Sequence, residues 1–228
     1  MSKLIIALDF STAEEALDFI KPLSPEHCKL KVGFELFVSA GPDFVKKLVN
    51  DGYDIFLDLK FHDIPNTVAA ACCAASGLGV WMMNVHASGS DVMMRTAKQA
   101  LIDCNSSSKL IAVTVLTSMD GQQLSKLNIN KQPAEQVKHL AKLTQESGLD
   151  GVVCSAQEAA MLRETHGNDF LLVTPGIRPE GSEVGDQSRV MTPAQAYKAG
   201  VSYIVVGRPI TQSKEPLKVI EKINLDMS

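Results

Sequence analysis

Eight short apolar runs recur along the 228-residue chain, each followed by a helical stretch, with no linker or low-complexity tract between them. The runs are Leu4–Leu8, Lys29–Gly33, Ile55–Lys60, Trp81–Val85, Leu110–Leu116, Gly151–Cys154, Phe170–Thr174 and Tyr203–Val206. Helical patterns follow from Ser11 or Thr12 to about Lys21, then over Pro42–Asn50, Pro65–Ser76 and Ser90–Ile102. After a looser stretch they resume at Pro133–Ser147, Ala156–Arg163, Pro193–Ala199 and from Pro216 onward. Most of the runs are largely apolar, as expected of parallel strands covered on both faces. Eight strand–helix units predict one (β/α)8 (TIM) barrel domain over residues 1–228. An open doubly wound sheet is the competing architecture. It needs fewer strands and usually a Gly-rich turn after the first, where this chain has Asp9-Phe10.

A barrel brings the carboxyl ends of all its strands to one mouth, and the active site forms there. Polar residues stand at those ends: Asp9, Lys31, Asp58, Lys60, His86, Thr117, Pro175, Gly176, Gly207 and Arg208. Each alone could be a turn or a cap; together they would converge. Lys31 sits in Lys29-Leu30-Lys31-Val32-Gly33. A half-exposed strand would explain such alternation, but barrel strands have no solvated middle, so Lys31 is assigned to the mouth and Lys29 is left without a role.

The densest stretch is Asp58-Leu59-Lys60-Phe61-His62-Asp63-Ile64-Pro65-Asn66-Thr67. Strand alternation would place Phe56, Asp58 and Lys60 on one face. Opposite charges at the end of a buried strand are costly unless paired or used. A structural salt bridge with a helix cap after it is the ordinary reading of an isolated Asp-x-Lys, since ion-pair networks also place charges this way; the longer string is more specific. On the opposite side of the mouth, Thr174-Pro175-Gly176-Ile177-Arg178 opens a long irregular segment through Gly181, Gly185, Asp186, Gln187 and Arg189. Long loops in compact domains are commonly binding lids. Gly207-Arg208 follows the eighth strand, where barrels usually bind phosphate. There the glycine admits an anion to the backbone and the arginine supplies a forked donor.

The string Asp-x-Lys-x-x-Asp-Ile-x-x-Thr at Asp58–Thr67 resembles the signature of the orotidine 5′-monophosphate decarboxylase family. The resemblance, closest to the bacterial form, extends from Asp9 to about Thr211. It includes Lys31-Val32-Gly33, Val115-Leu116-Thr117-Ser118, Thr174–Arg178, Asp186-Gln187, Arg189-Val190 and Val206-Gly207-Arg208-Pro209. It implies a homodimeric barrel, free of metal and cofactor, that converts orotidine 5′-monophosphate to uridine 5′-monophosphate and CO2, the final step of pyrimidine (UMP) biosynthesis. By that resemblance Asp9 and Lys31 hold the ribose. Lys31, Asp58 and Lys60, with Asp63 from the partner subunit, form the charged array at the reacting carbon. Thr67 also crosses the dimer, and Thr117 lies near the base. Pro175 belongs to the substrate pocket, while Arg178, Gln187, Gly207 and Arg208 hold the phosphate. Lys60 is the residue expected to stabilise and protonate the C6 carbanion.

Two other functions compete. One is a sugar-phosphate decarboxylase of the same barrel type, using Mg²⁺ and an enediolate; Thr117 and the Gln187 loop favour the nucleotide enzyme. The other is a nucleotide-binding protein without turnover, which the intact Lys60, Asp58 and Asp63 disfavour. A net charge of -4 and pI ≈ 5.7 leave no basic surface for nucleic acid. The first apolar run ends at Asp9, too short for a signal peptide or membrane span, so a cytoplasmic protein is expected. The 5 cysteines are odd in number and form no Cys-x-x-Cys pair, and the 5 histidines lack ligand spacing. Reduced, mostly buried thiols and no metal site are expected. Cys72 and Cys73 should point to different sides of one helix.

Overall fold

The computed structural model describes residues 2–179 and 191–228. Eight parallel strands close on themselves in sequence order. They are β1 (Leu4–Ala7), β2 (Lys29–Val32), β3 (Ile55–Phe61), β4 (Met82–His86), β5 (Lys109–Val113), β6 (Gly151–Val153), β7 (Leu171–Thr174) and β8 (Tyr203–Val206). The helices are α1 (Ala13–Ile20), α2 (Phe34–Asn50), α3 (Pro65–Ser76), α4 (Asp91–Asp103), α5 (Gly121–Lys126), α6 (Pro133–Glu146), α7 (Ala159–His166), α8 (Pro193–Lys198), α9 (Arg208–Thr211) and α10 (Pro216–Asp226). The expected (β/α)8 barrel is therefore the fold. Closure leaves no sheet edge, so every strand has a hydrogen-bonded neighbour on both sides.

Two apolar layers form. Ile5, Ala7, Phe56, Met82, Ile111, Val173 and Val205 fill the barrel interior. The larger layer lies between the strands and the surrounding helices, drawing on Leu4, Ile6, Leu30, Leu57 and Val85. Strand alternation divides them, with odd residues of β1 pointing in and even residues out. The lower end of the barrel is plugged by Lys29, whose ammonium pairs with Asp54 and lies 4.6 Å from the Trp81 ring centroid. Trp81 in turn packs edge-on against Tyr203, with centroids 5.0 Å apart. Lys29 thus has a structural role that its sequence context did not reveal. Lys31, two residues further along the same face, points toward the mouth.

Several boundaries differ from the sequence reading. The helix expected over Pro42–Asn50 is the second part of α2; an unexpected first part from Phe34 joins it across a break at Gly41, where φ is 75°, a left-handed value that glycine adopts without penalty. The fifth strand stops at Val113, leaving Val115, Leu116 and Thr117 in the loop above the mouth. The looser stretch after it holds α5, capped by Asp120, whose side chain accepts from Gln123 N–H. Thr12 caps α1, its hydroxyl accepting from Glu15 N–H at 3.2 Å. Cys72 is fully buried and Cys73 turns to the other side of α3, as expected. The expectation of reduced thiols fails at that residue: Cys73 is disulfide-bonded to Cys104 at the end of α4, with Cα atoms 6.4 Å apart. Cys28, Cys72 and Cys154 are buried and stand outside the disulfide.

Candidate active site

Strand β3 does not stay regular to its end. Leu57 pairs with Met83 and Phe61 with Val85, so Asp58, Leu59 and Lys60 together stand opposite the single residue Asn84 of β4. Lys60 has φ 45°, an uncommon conformation for a side-chain-bearing residue and one often found at functional positions. The simple alternation expected for Phe56, Asp58 and Lys60 is thus interrupted. Both charges nevertheless meet at the mouth through the bulge, which re-aims side chains.

Lys60 Nζ lies 2.7 Å from Asp58 Oδ1, and Asp58 Oδ2 lies 3.3 Å from Lys31 Nζ. Lys31 also reaches Asp9 Oδ1 at 3.2 Å. The four residues form a continuous chain Asp9–Lys31–Asp58–Lys60 across β1, β2 and β3. Asp58 and Lys31 are almost buried, whereas the Asp9 side chain is two-thirds exposed. Burial works against the Lys31 charge, but the carboxylates of Asp58 and Asp9 outweigh it and raise its pKa above the ordinary lysine value. Gly33 leaves room for this arrangement, because a Cβ there would stand 3.1 Å from Lys31 Nζ. Lys60 Nζ also lies 4.9 Å from the centroid of Phe34, which opens α2.

Two adjoining cavities share Lys31, Pro175 and Val205. One, of about 210 Å³, sets Lys31, Asp58 and Lys60 against an apolar wall that includes Phe56, Val113, Val115 and Val153, with Thr117 at its rim. The other, of about 400 Å³, is lined by Asp9, Gly176, Arg178, Gly207, Arg208 and Gln212 among others. Burial, and then the neighbouring Arg208 cation, lower the pKa of Arg178 from its usual value. Two guanidinium groups lining one cavity bring positive charge and forked donors to it, the chemistry that suits an anion.

The sequence-derived residues divide accordingly. Asp9, Lys31, Asp58, Lys60, Thr117, Pro175, Arg178, Gly207 and Arg208 all line one or other cavity. Asp63 and Thr67 do not. Asp63 is exposed and its carboxylate accepts from the N–H of Ile64 at 2.6 Å, while Thr67 is exposed in the first turn of α3. Gln187, with Asp186 and Arg189, lies outside the described residues. His86 stacks on His62 with ring centroids 5.5 Å apart. Burial, then His62 and Lys60, lower its pKa below the ordinary histidine value. Asn84, Gln212 and Phe34 were missed by the sequence reading. Asn84 offered one signal, an amide within the otherwise apolar run of β4. Among the described residues no group of three or more His, Cys, Asp or Glu side chains is arranged to hold a metal ion.

A sequence profile described as the "Orotidine 5'-phosphate decarboxylase / HUMPS family" matches residues 2–223. The chain belongs to this family. It is 58% identical over 227 residues to the orotidine 5'-phosphate decarboxylase of Pseudoalteromonas atlantica, covering 99% of this chain and 98% of that one. The enzyme of the same name from Pseudoalteromonas translucida is 59% identical over 223 residues, covering 97% and 95%. In three dimensions the fold matches the crystal structure of orotidine 5'-phosphate decarboxylase from Lactobacillus acidophilus. That match has a TM-score of 0.89 at 43% identity and covers 100% of both chains. Family membership thus spans all eight strands, including the segments that carry both cavities.

Proposed function

We propose that the two joined cavities bind orotidine 5′-monophosphate, with the base against Lys60 and the phosphate between Arg178 and Arg208. The chain is an orotidine 5′-phosphate decarboxylase, a carboxy-lyase that forms uridine 5′-monophosphate and CO2 in pyrimidine biosynthesis. The observation that carries the site assignment is the Asp9–Lys31–Asp58–Lys60 chain, which ends at an apolar pocket and borders a cavity with two arginines.

The chemistry follows from those groups. Breaking the C6–carboxylate bond leaves an electron pair in the plane of the ring, where the ring carbonyls cannot delocalise it. The Lys60 ammonium beside C6 stabilises that charge as it develops and then donates the proton that replaces CO2. Asp58 holds Lys60 and faces the departing carboxylate. Its second oxygen bonds to Lys31, which with Asp9 orients the ribose hydroxyls. The phosphate cavity supplies binding energy remote from the bond that breaks. Gln187 completes the phosphate grip, and Thr117 lies beside the base.

Asp63 and Thr67 serve the site of a second copy in a two-fold dimer. Their exposure in this chain supports that reading, as do the exposed apolar side chains Phe34, Val38, Ile64 and Val92 near the helix starts at the mouth. The enzyme works in the cytoplasm on a soluble nucleotide. The test is loss of orotidine 5′-monophosphate absorbance on adding purified protein, with and without EDTA. Turnover unaffected by EDTA is expected. Activity lost to the chelator, or seen with a sugar phosphate instead, would favour the Mg²⁺-dependent alternative.

A further inference from the structure

We propose that Asn84 is a positioning residue for the decarboxylation, setting both Lys60 and Asp58 through one buried amide. This rests on the roles proposed above for those two residues. Asn84 is fully buried on β4 and stands alone opposite the three residues of the β3 bulge. Regular strand pairing cannot continue there, because three backbone units face one. The Asn84 side chain takes over. Its Oδ1 accepts from the Lys60 backbone N–H at 2.8 Å, and its Nδ2 donates to Asp58 Oδ1 at 2.7 Å. A backbone N–H only donates and a carboxylate only accepts, so this amide orientation alone satisfies both partners.

The consequence is mechanical. A left-handed backbone at a lysine persists only where its surroundings over-determine it. Here the bond to Lys60 N–H holds that conformation and so aims the side chain. The second bond fixes the same Asp58 oxygen that the Lys60 ammonium approaches at 2.7 Å. One amide therefore sets the backbone of the proton donor and the carboxylate that orients its head group. Neither leucine nor aspartate can replace it. Leucine leaves the Lys60 N–H without a partner, and aspartate sets one carboxylate against another.

The test compares wild type, Asn84→Ala, Asn84→Asp and Lys60→Ala for kcat, for uridine 5′-monophosphate affinity and for exchange of the product's C6 hydrogen in D2O. In Asn84→Ala, kcat and C6 exchange should both fall by at least about a hundredfold, the scale of a misplacement of about 1 Å. Nucleotide affinity should stay within about threefold, because the phosphate cavity is untouched. Asn84→Asp keeps the size and the acceptor for Lys60 N–H, so it decides the matter if the alanine variant does not fold. It should lose kcat and C6 exchange to a similar degree. Wild-type kcat in either folded variant, or kcat and affinity lost in equal proportion, would overturn the inference. Lys60→Ala separates the two levels of the argument. Turnover surviving in Lys60→Ala overturns the site assignment and this inference with it. Its loss there beside normal turnover in Asn84→Ala overturns this inference alone.

Discussion

Lys60 Nζ lies 2.7 Å from Asp58 Oδ1, on a strand whose backbone turns left-handed at the lysine itself. In the role proposed for Lys60, a pair fixed in this way would need little reorganisation as charge develops at C6. Lys60→Ala should abolish turnover while leaving a folded protein that binds uridine 5′-monophosphate. Trapping a lysine–substrate adduct with borohydride would instead reveal covalent catalysis and contradict the electrostatic role.

Arg208→Ala should reduce kcat/KM by at least about tenfold, since a charge-assisted contact is typically worth about 1.5–3 kcal/mol. The loss should shrink with a substrate lacking the phosphate, because both changes delete one interaction. Steady-state kinetics on the two substrates decides it, and equal losses on both would place Arg208 outside the phosphate grip.

Lys60→Ala and Asp63→Ala homodimers should each be nearly inactive, yet mixing them should restore activity. In a two-fold dimer with shared sites, one site of the heterodimer carries both defects and the other carries neither, so about half the sites recover. Activity measured after verified subunit exchange is the check. No recovery would mean that Asp63 serves its own chain.

The Cys73–Cys104 bond closes a span of 31 residues between α3 and α4. In the chain-entropy account a loop of that length stabilises the folded state by about 3–4 kcal/mol. Reductant, or Cys104→Ser, should therefore lower Tm by several degrees. Thiol titration of the denatured protein should find three thiols before reduction, those of Cys28, Cys72 and Cys154, and five after it. Five before reduction, with an unchanged Tm, would mean that the bond is open, as reducing compartments favour.

His166 is buried, its Nε2 without a hydrogen-bond partner among the described residues, while Nδ1 lies 2.7 Å from Gln145 Oε1. Burial, then the Arg163 and Lys138 cations, lower its pKa below 6.5. The sign follows directly. Below about pH 6.5 the unfolded chain takes up a proton that the native ring resists, so stability falls as the pH drops. Tm should decline between about pH 7 and pH 5, and His166→Gln should flatten that decline. An equally steep decline in the variant would assign the effect to other groups, His86 among them.

The fold was legible because a barrel repeats one unit. Strands buried on both faces must be apolar throughout, and the turns between them must carry Gly, Pro and capping residues, so periodicity alone marks the eight units. The placement of Lys31, Asp58, Lys60 and Arg208 at the barrel mouth was legible for a related reason: charge at the end of an apolar strand is costly unless a neighbour or a ligand answers it. The same logic stopped short at Lys29, where the answering groups, Asp54, Trp81 and Tyr203, come from three other parts of the chain.

What the sequence by itself determined is the alternation of eight strands and helices and the identity of the charges at the strand ends. Local propensity and burial dictate both. What only the tertiary structure decided is how those charges meet. The shift in pairing between β3 and β4, the left-handed Lys60, the amide of Asn84 between two strands and the closing of Cys73 on Cys104 all depend on contacts between segments 24 to 31 residues apart. No local pattern encodes such contacts, because each partner reads in sequence as an ordinary member of its own strand or helix. Barrel closure supplies the geometry that turns them into a site.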